Sequence, residues 1–248
     1  MKKDIIYGFI TVRTSSTRLP NKCLLPLGNE SVIEHVIKRC LTYSIEPIVC
    51  TTSDSSDDVI EKISNKLNVK CFRGSSINKL KRWADCAKYY KIQDFHTVDA
   101  DDPFFDGDEM KTSMKQLREG NYDIVSPTFS SSSGGASVGY SLKSKVVLEA
   151  TKNTNDSTDT EMIESFFEEL NNLKIYNLQE SVIRPSNVRL TLDYEEDYLL
   201  MKVIAQILGK NTSRDQIDNL FINNPDLVKI NWFRNVEWKA KQNSKTNK

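Results

Sequence analysis

Three positive charges lie close together near the start of the chain, at Arg13, Arg18 and Lys22. Hydroxyl side chains stand between the two arginines: Thr14, Ser15, Ser16 and Thr17. The run follows residues 5–12, an apolar and β-branched stretch that predicts a buried strand. Cationic side chains, hydroxyls and closely spaced backbone N–H groups bind phosphates, often at the carboxyl end of a parallel sheet. The sequence therefore predicts a loop that binds a triphosphate.

Carboxylates follow two later predicted strands. Asp101 comes after the strand predicted at 95–98, and Asp193 comes after the strand predicted at 188–192. Mg²⁺ is commonly held by one or two carboxylates while it neutralises phosphate charge. Taken singly, each acidic run would more simply be a solvated turn or an acidic helix start. The two runs together with the cationic loop favour Asp101 and Asp193 as Mg²⁺ ligands, with Asp99 as an additional carboxylate behind them.

A family resemblance begins in the cationic loop. Residues 12–22 read V-R-T-S-S-T-R-L-P-N-K, which resembles A-R-x-x-S-T-R-L-P-x-K, the opening signature of the cytidylyltransferases that make CMP-activated sugar acids. The branch it most resembles is usually labelled spore-coat polysaccharide biosynthesis cytidylyltransferase, which is related to the 3-deoxy-manno-octulosonate (Kdo) enzymes. Val12 replaces the usual alanine and Asn21 the usual glycine. The resemblance implies catalytic contacts to the CTP phosphates for Arg13, Arg18 and Lys22.

Two further motifs extend the resemblance into the acidic runs. Residues 101–103 match the family pattern D-x-P, and residues 189–197 match R-x-T-x-D followed by x-x-x-D. The family's metal-binding aspartates fall on Asp101 and Asp193. The resemblance therefore implies Mg²⁺ as cofactor and adds Asp101 to the catalytic residues.

Nucleotide contacts beyond the phosphates are implied by two more motifs. Family members carry A-T-S and R-G-S-x-x-x-V-L-x-R where this chain has T-T-S at 51–53 and R-G-S-S-I-N-K-L-K-R at 73–82. The resemblance implies that Thr52, Ser53, Arg73 and Ser75 contact cytosine and ribose. The usual acidic positions of the second motif are occupied by Ile77, Asn78 and Lys81. Surface roles remain the alternative for Arg73 and Arg82.

The acceptor site is expected in the second half of the chain. The resemblance implies contacts from Tyr140, Glu161, Arg184 and Arg189. Kdo-type enzymes have Glu-His where this chain has Glu161-Met162, which argues against Kdo itself. Another sugar acid or a phosphorylated polyol is therefore expected as the acceptor.

Strand and helix patterns alternate through the first hundred residues. Strands are predicted at 5–12, 47–51, 69–72 and 95–98, with helices near 31–41, 58–67 and 78–90. Later helices are predicted near 108–119, 143–151, 159–170 and 193–208, and later strands near 123–126, 174–178 and 188–192. Residues 130–135, S-S-S-S-G-G, predict a flexible lip over a pocket. Alternating strands and helices predict an α/β fold with a mostly parallel central sheet flanked by helices.

One domain is predicted for residues 1–238, followed by a polar, lysine-rich tail at 239–248. The resemblance implies a single nucleotidyltransferase domain of the glycosyltransferase-A-like kind. About 1–125 would form its nucleotide-binding half and about 126–195 a smaller mixed subregion for the acceptor and for dimerisation. A homodimer is therefore expected.

Composition excludes several classes of partner and site. The 248 residues carry 34 Lys+Arg and 34 Asp+Glu, so no overall charge favours binding to nucleic acid or to a membrane surface. Five cysteines without a C-x-x-C pair and two histidines do not predict a zinc cluster. Scattered thiols fit a reducing compartment, and no apolar run reaches the length of a membrane span. A cytoplasmic protein is expected.

These features together predict an enzyme that activates an acidic sugar with CTP, giving a CMP-sugar and pyrophosphate for cell-surface glycan biosynthesis. Two alternatives remain open: transfer to a non-sugar acid or polyol phosphate, and a catalytically silent homologue that binds a nucleotide. A dinucleotide-binding dehydrogenase is disfavoured because no G-x-G-x-x-G follows the first strand.

Overall fold

The computed structural model describes residues 5–134 and 139–237. Its strands are β1 (Ile6–Thr11), β2 (Pro26–Leu27), β3 (Glu30–Ser31), β4 (Ile45–Thr52), β5 (Lys70–Gly74), β6 (Asp94–Asp99), β7 (Ile124–Ser126), β8 (Ser141–Lys143) and β9 (Ile175–Asn177). Its helices are α1 (Val32–Thr42), α2 (Asp58–Lys66), α3 (Lys79–Tyr90), α4 (Gly107–Glu119), α5 (Phe129–Ser132), α6 (Ser144–Ala150), α7 (Ile163–Glu168), α8 (Glu195–Leu208) and α9 (Arg214–Asn223). The tail predicted at 239–248 and the end of the predicted lip, Gly135, lie outside the described residues.

One sheet has the strand order β5-β4-β1-β6-β8-β7-β9, and β2 and β3 form a separate hairpin. β1 pairs in parallel with β4 and β6, and β4 pairs in parallel with β5. β8 is antiparallel to both β6 and β7, whereas β9 is parallel to β7. The predicted α/β fold with a mostly parallel sheet is confirmed. None of the described helices combines the length and the apolar character that crossing a bilayer requires.

The core lies on both faces of β1, because its side chains alternate between them. Phe9 faces a cluster that includes Trp83 of α3 and Phe95 of β6, and its ring stacks on that of Phe95 with 3.9 Å between centroids. Ile10 faces a second cluster that includes Val36 of α1. A central strand covered on both sides holds its carboxyl end, where the cationic loop begins, in a fixed position.

Helix α1 begins at the capping box that its sequence predicts. The Oγ of Ser31 accepts a hydrogen bond from the Glu34 N–H at 3.4 Å, and Glu34 Oε2 accepts one from the Ser31 N–H at 2.8 Å. The predicted helix near 31–41 is confirmed, and it packs against β4 on the face opposite α3.

The strand predicted at 188–192 is wrong. The Leu190 N–H donates to the carbonyl of Gly134 at 2.8 Å, and the Leu192 N–H donates to the carbonyl of Asp101 at 2.7 Å. Both leucines are buried, which explains the alternating apolar pattern. Within the described residues, however, this segment forms hydrogen bonds with isolated loop carbonyls, so it does not pair with another strand.

Other differences also fall in the second half. Residues 130–132, predicted as part of a flexible lip, belong to α5, where Thr128 Oγ1 accepts the Ser131 N–H at 3.4 Å. Helix α7 covers only part of the range predicted at 159–170. The sequence analysis does not predict the β2–β3 hairpin, β8 or α9. The first two are too short to show a period, whereas a capping box at Ser213 signals α9.

Truncation of Phe95 should strongly destabilise the protein, because Phe95 is fully buried and stacked on Phe9. We expect Phe95→Ala to lower the free energy of unfolding by about 3–5 kcal/mol, measured by urea denaturation. Phe129 is 79% exposed and provides the matched control. Phe129→Ala should change the same quantity by less than about 0.5 kcal/mol. Equal losses in the two variants would contradict this description of the core.

Candidate active site

A cavity of about 730 Å³ lies at the carboxyl ends of β1 and β6. It is lined by charged residues from distant parts of the chain, among them Arg13, Arg18, Lys22, Asp101 and Asp193. The parallel register aligns Thr11 at the end of β1 with Asp99 at the end of β6, so the segments that follow both strands share one edge of the sheet. The structure thus brings the predicted phosphate loop and both predicted metal ligands into one cavity.

The ammonium group of Lys22 joins the two aspartates. Lys22 Nζ lies 2.5 Å from Asp101 Oδ2 and 2.9 Å from Asp193 Oδ1. Arg18 adds a second cation, with its guanidinium 2.8 Å from Asp193 Oδ1. Burial alone lowers the pKa of Lys22, but the Asp101 and Asp193 charges outweigh it and hold that pKa above its ordinary value. Lys22 therefore stays protonated.

The position of Asp193 is set by the start of α8. Asp197 accepts backbone N–H groups from Asp193 at 2.9 Å and from Tyr194 at 3.0 Å. Arg189 is 2% exposed and pairs with Asp197 at 2.9 Å and with Asp193 at 3.5 Å. Arg189, predicted to contact the acceptor, lines the cavity while its guanidinium is engaged by these two aspartates.

Asp57, which the sequence analysis does not single out, anchors the phosphate loop. Its carboxylate is buried and accepts hydrogen bonds from the Thr14 N–H at 2.8 Å and the Thr14 hydroxyl at 2.7 Å. The hydroxyls of Thr51 and Thr52, at the end of β4, donate to its other oxygen at 3.1 and 2.5 Å. Burial alone would raise the pKa of Asp57, but the hydrogen bonds from Thr52, Thr14 and Thr51 hold it below its usual range. The sequence signal for Asp57 is its position directly before α2. That signal does not single out Asp57, because the same polar run also contains Asp54 and Asp58.

The residues predicted to contact the nucleotide separate into two groups. Ser15 and Ser16 line the cavity beside Arg13, Arg18 and Lys22. Thr14, Thr52, Ser53, Arg73 and Ser75 are not among the lining residues.

Each residue of the second group has protein partners. Thr14 and Thr52 bond to Asp57, as described above. The Ser53 N–H donates to the Gly74 carbonyl at 2.9 Å, and Arg73 pairs with Asp58 at 2.6 Å. The Ser75 hydroxyl accepts the Asn78 N–H at 3.1 Å. These contacts stabilise the segments around the ends of β4 and β5.

The residues predicted to contact the acceptor also fall into two groups, those that line the cavity and one that does not. Tyr140 and Glu161 line the cavity, and the Tyr140 hydroxyl donates to Glu164 at 2.6 Å. Arg184 instead pairs with Asp218 at 2.6 Å and with Asp215 at 3.0 Å and does not line the cavity. Further lining residues that the sequence analysis does not assign are Lys79, Trp83 and Glu164. Arg82, for which a surface role was the alternative, also lines the cavity. Helical periodicity places Trp83 in the core, and only the fold shows that it also reaches the cavity.

The two carboxylates that flank Asp101 differ. Asp102 is buried and accepts the Thr191 hydroxyl at 2.7 Å, and burial together with the Asp101 and Asp99 charges raises its pKa well above the usual value. Asp99 lines the cavity and its pKa is raised by burial, with Asp101 adding to the shift. Both carboxylates line the cavity, and Asp102 is held there by its hydrogen bond from Thr191.

Comparison with known proteins identifies the family. A family model described as cytidylyltransferase matches residues 7–220. The chain belongs to the cytidylyltransferase family. The resemblance in the cationic loop is thereby confirmed.

Two relatives and a solved structure accompany the match. This cytidylyltransferase is 24% identical over 245 residues to the spore coat polysaccharide biosynthesis protein SpsF of Bacillus subtilis, covering 90% of this chain and 96% of that protein. It is 32% identical over 133 residues to the 3-deoxy-manno-octulosonate cytidylyltransferase of Rickettsia bellii, covering 51% of this chain and 53% of that enzyme. A solved cytidylyltransferase from Leptospira borgpetersenii shares the fold, with a TM-score of 0.78 and 22% identity. The match covers 90% of this chain and 96% of that chain.

Removal of the Asp57 charge should destabilise the protein, because it leaves the buried hydroxyls and N–H groups around it without a carboxylate acceptor. We expect Asp57→Asn to lower the free energy of unfolding by about 1–3 kcal/mol at pH 7, measured by urea denaturation. The adjacent Asp58, half-exposed, is the matched control, and Asp58→Asn should cost about 0–1 kcal/mol.

The stabilisation that Asp57 provides should depend on pH. Because the pKa of Asp57 is lowered by folding, its stabilisation is present above the unfolded pKa and is lost as pH falls through the folded pKa. The difference between wild type and Asp57→Asn should therefore shrink on acidification. A difference that grows as pH falls would contradict this role for Asp57.

Proposed function

We propose that this cytidylyltransferase transfers a cytidylyl group from CTP to an acidic sugar, giving a CMP-sugar and pyrophosphate for cell-surface glycan biosynthesis. The observation that carries the proposal is the meeting of Arg18 and Lys22 with Asp101 and Asp193 in one cavity. Phosphate-binding cations and metal-binding carboxylates are the groups that nucleotidyl transfer needs together. A relative named for spore coat polysaccharide biosynthesis and another named for transfer to a sugar acid support the acceptor class.

Asp101 and Asp193 would hold Mg²⁺. A cation, the ammonium group of Lys22, stands between these two carboxylates in this structure. The described residues include no cluster of three or more His, Cys, Asp or Glu side chains placed to hold a metal. Mg²⁺ does not need such a cluster, because it completes its shell with water and phosphate oxygens. The donor set therefore fits, and Mg²⁺ when bound supplies neutralisation of charge on the α-phosphate and the departing pyrophosphate.

The transfer step forms one bond and breaks one. The acceptor hydroxyl attacks the α-phosphorus, and the bond from that phosphorus to the oxygen leading to the β-phosphate breaks. Pyrophosphate leaves with that electron pair, and the hydroxyl proton is released to water. Arg13, Arg18 and Lys22 would hold the phosphates and stabilise the charge that grows on the leaving group. Lys22 and Arg18 exchange their carboxylate contacts for phosphate oxygens when the nucleotide binds.

The acceptor would lie at the end of the cavity formed by Tyr140 and Glu161. The Tyr140 hydroxyl is fixed by its hydrogen bond to Glu164, so it presents a defined polar group to a sugar. Arg184 lies outside this lining, which leaves the acid group of the acceptor to cations elsewhere in the cavity.

Loss of either predicted metal ligand should abolish turnover. We expect Asp101→Asn and Asp193→Asn each to lower the rate at least about a hundredfold, because charge on the reacting phosphates is no longer neutralised. The measurement is pyrophosphate release from CTP and Mg²⁺ with a panel of sugar acids, non-sugar acids and polyol phosphates. Asp85→Asn, on the outer face of α3, is the control and should keep the wild-type rate. A near-normal rate in either variant would remove that aspartate from the site.

Loss of the Lys22 charge should weaken CTP binding more than acceptor binding. We expect Lys22→Ala to raise the Kd of CTP at least tenfold, corresponding to about 1.4 kcal/mol or more, measured by calorimetry. The exposed Lys66 provides the control variant Lys66→Ala, which should leave the Kd unchanged. An unchanged CTP affinity in Lys22→Ala would exclude Lys22 from the phosphate site. CTP binding by the wild type without turnover on any acceptor would favour a catalytically silent homologue.

A further inference from the structure

Two arginines that line the cavity lack the carboxylate partners that its other arginines have. Arg18 and Arg189 pair with aspartates at 2.8 and 2.9 Å. Neither Arg13 nor Arg82 forms an ion pair with a carboxylate within 4.0 Å among the described residues. Carbonyl groups and the more distant charges of Asp57 and Asp99 act on these arginines, but neither guanidinium has a carboxylate in direct contact.

Arg82 is the more unusual of the two because it is buried. It lies on α3, is 3% exposed, and its guanidinium donates to the carbonyl of Ser75 at 2.6 Å. Its Nε atom is buried and has no hydrogen-bond partner among the described residues. Burying an arginine without a carboxylate and with an unsatisfied donor opposes folding. Such an arrangement is expected where a ligand supplies the missing acceptor.

The polypeptide is shaped to keep Arg82 in this place. Gly74 ends β5 directly beneath it, and a Cβ at that position would lie 3.1 Å from Arg82 Cγ and 3.0 Å from a ring carbon of Phe72. The carbonyl of Ser76 holds Arg13, at 3.4 Å, next to the carbonyl of Ser75 that holds Arg82. Successive carbonyls thus bring two guanidinium groups to one wall of the cavity.

We infer that Arg82, together with Arg13, binds an anionic oxygen group of the bound substrates. The inference rests on the proposed function, in which two such groups enter this cavity: the phosphates of CTP and the acid group of the acceptor. A guanidinium fork matches the oxygens of either group, and a charge without a direct ion pair favours an anion over a neutral polar group. Arg82 is thereby a binding residue that the loop of Arg13, Arg18 and Lys22 does not include.

Titration of an apolar variant tests this role. Arg82→Met keeps most of the side-chain volume and removes the charge. Calorimetry with CTP, cytidine and inorganic pyrophosphate is compared between wild type, Arg82→Met and the control Arg118→Met. Arg118 pairs with Asp94 and lies outside the lining of the cavity, so the control should leave every Kd unchanged.

Either of two results supports the inference. If Arg82 binds phosphate, the Kd of CTP and of pyrophosphate rises at least tenfold, about 1.4 kcal/mol, while that of cytidine is unchanged. If Arg82 binds the acceptor's acid group, the Kd values of CTP and pyrophosphate stay the same. The KM of the acid that is turned over in the pyrophosphate-release assay then rises by at least a similar factor. The melting temperature should change little, because removal of a buried charge without an ion pair offsets the loss of the hydrogen bond to the Ser75 carbonyl.

Other results overturn it. Unchanged Kd values together with an unchanged acceptor KM exclude Arg82 from binding, and a lowered melting temperature with normal binding assigns it a purely structural role. Failure of the proposed function gives a different pattern. A wild-type protein that binds pyrophosphate but not CTP refutes cytidylyl transfer, while the pyrophosphate titrations of Arg82→Met still decide the role of Arg82.

Discussion

The geometry of the cavity depends on a carboxylate that does not line it. Asp57 binds both the backbone and the side chain of Thr14, and it also binds the hydroxyls that end β4. One ionised group therefore fixes where the loop leaves the sheet, and Arg13 directly precedes the fixed residue. The charge stays in a buried place because several donors point at it, which is less costly than leaving those donors unsatisfied. The position of the loop that carries Arg13, Arg18 and Lys22 therefore depends on Asp57.

The charges inside the cavity form a second layer of constraint. Asp101 and Asp193 come from segments 92 positions apart in the chain and would repel each other if no cation lay between them. Lys22 supplies that cation, and Arg18 and Arg189 add positive charge beside Asp193. Asp197, three positions into α8, fixes the backbone of Asp193. The cluster is thus held by backbone geometry on one side and by charge balance on the other.

The sequence predicts what depends on local patterns. The cationic loop, the capping box of α1 and the aspartates after apolar runs are each visible within about ten residues. Features that depend on which segments meet are not visible in this way. Residues 188–192 alternate like a strand but form hydrogen bonds with isolated carbonyls, and no local pattern predicts that Arg73 pairs with Asp58 on α2. The burial of Arg82 follows from the contact between α3 and the end of β5, which no local pattern encodes.

If CTP and Mg²⁺ bind as proposed, the position of Lys22 between two carboxylates would make the binding of each depend on the other. A metal ion between Asp101 and Asp193 would take the place that the Lys22 ammonium group now occupies, and it would free Lys22 to contact a phosphate. Each ligand would therefore raise the affinity of the other by the same factor, as thermodynamic linkage requires. CTP and Mg²⁺ would then bind with positive cooperativity. Either one alone would meet a site in which Lys22 still lies between Asp101 and Asp193.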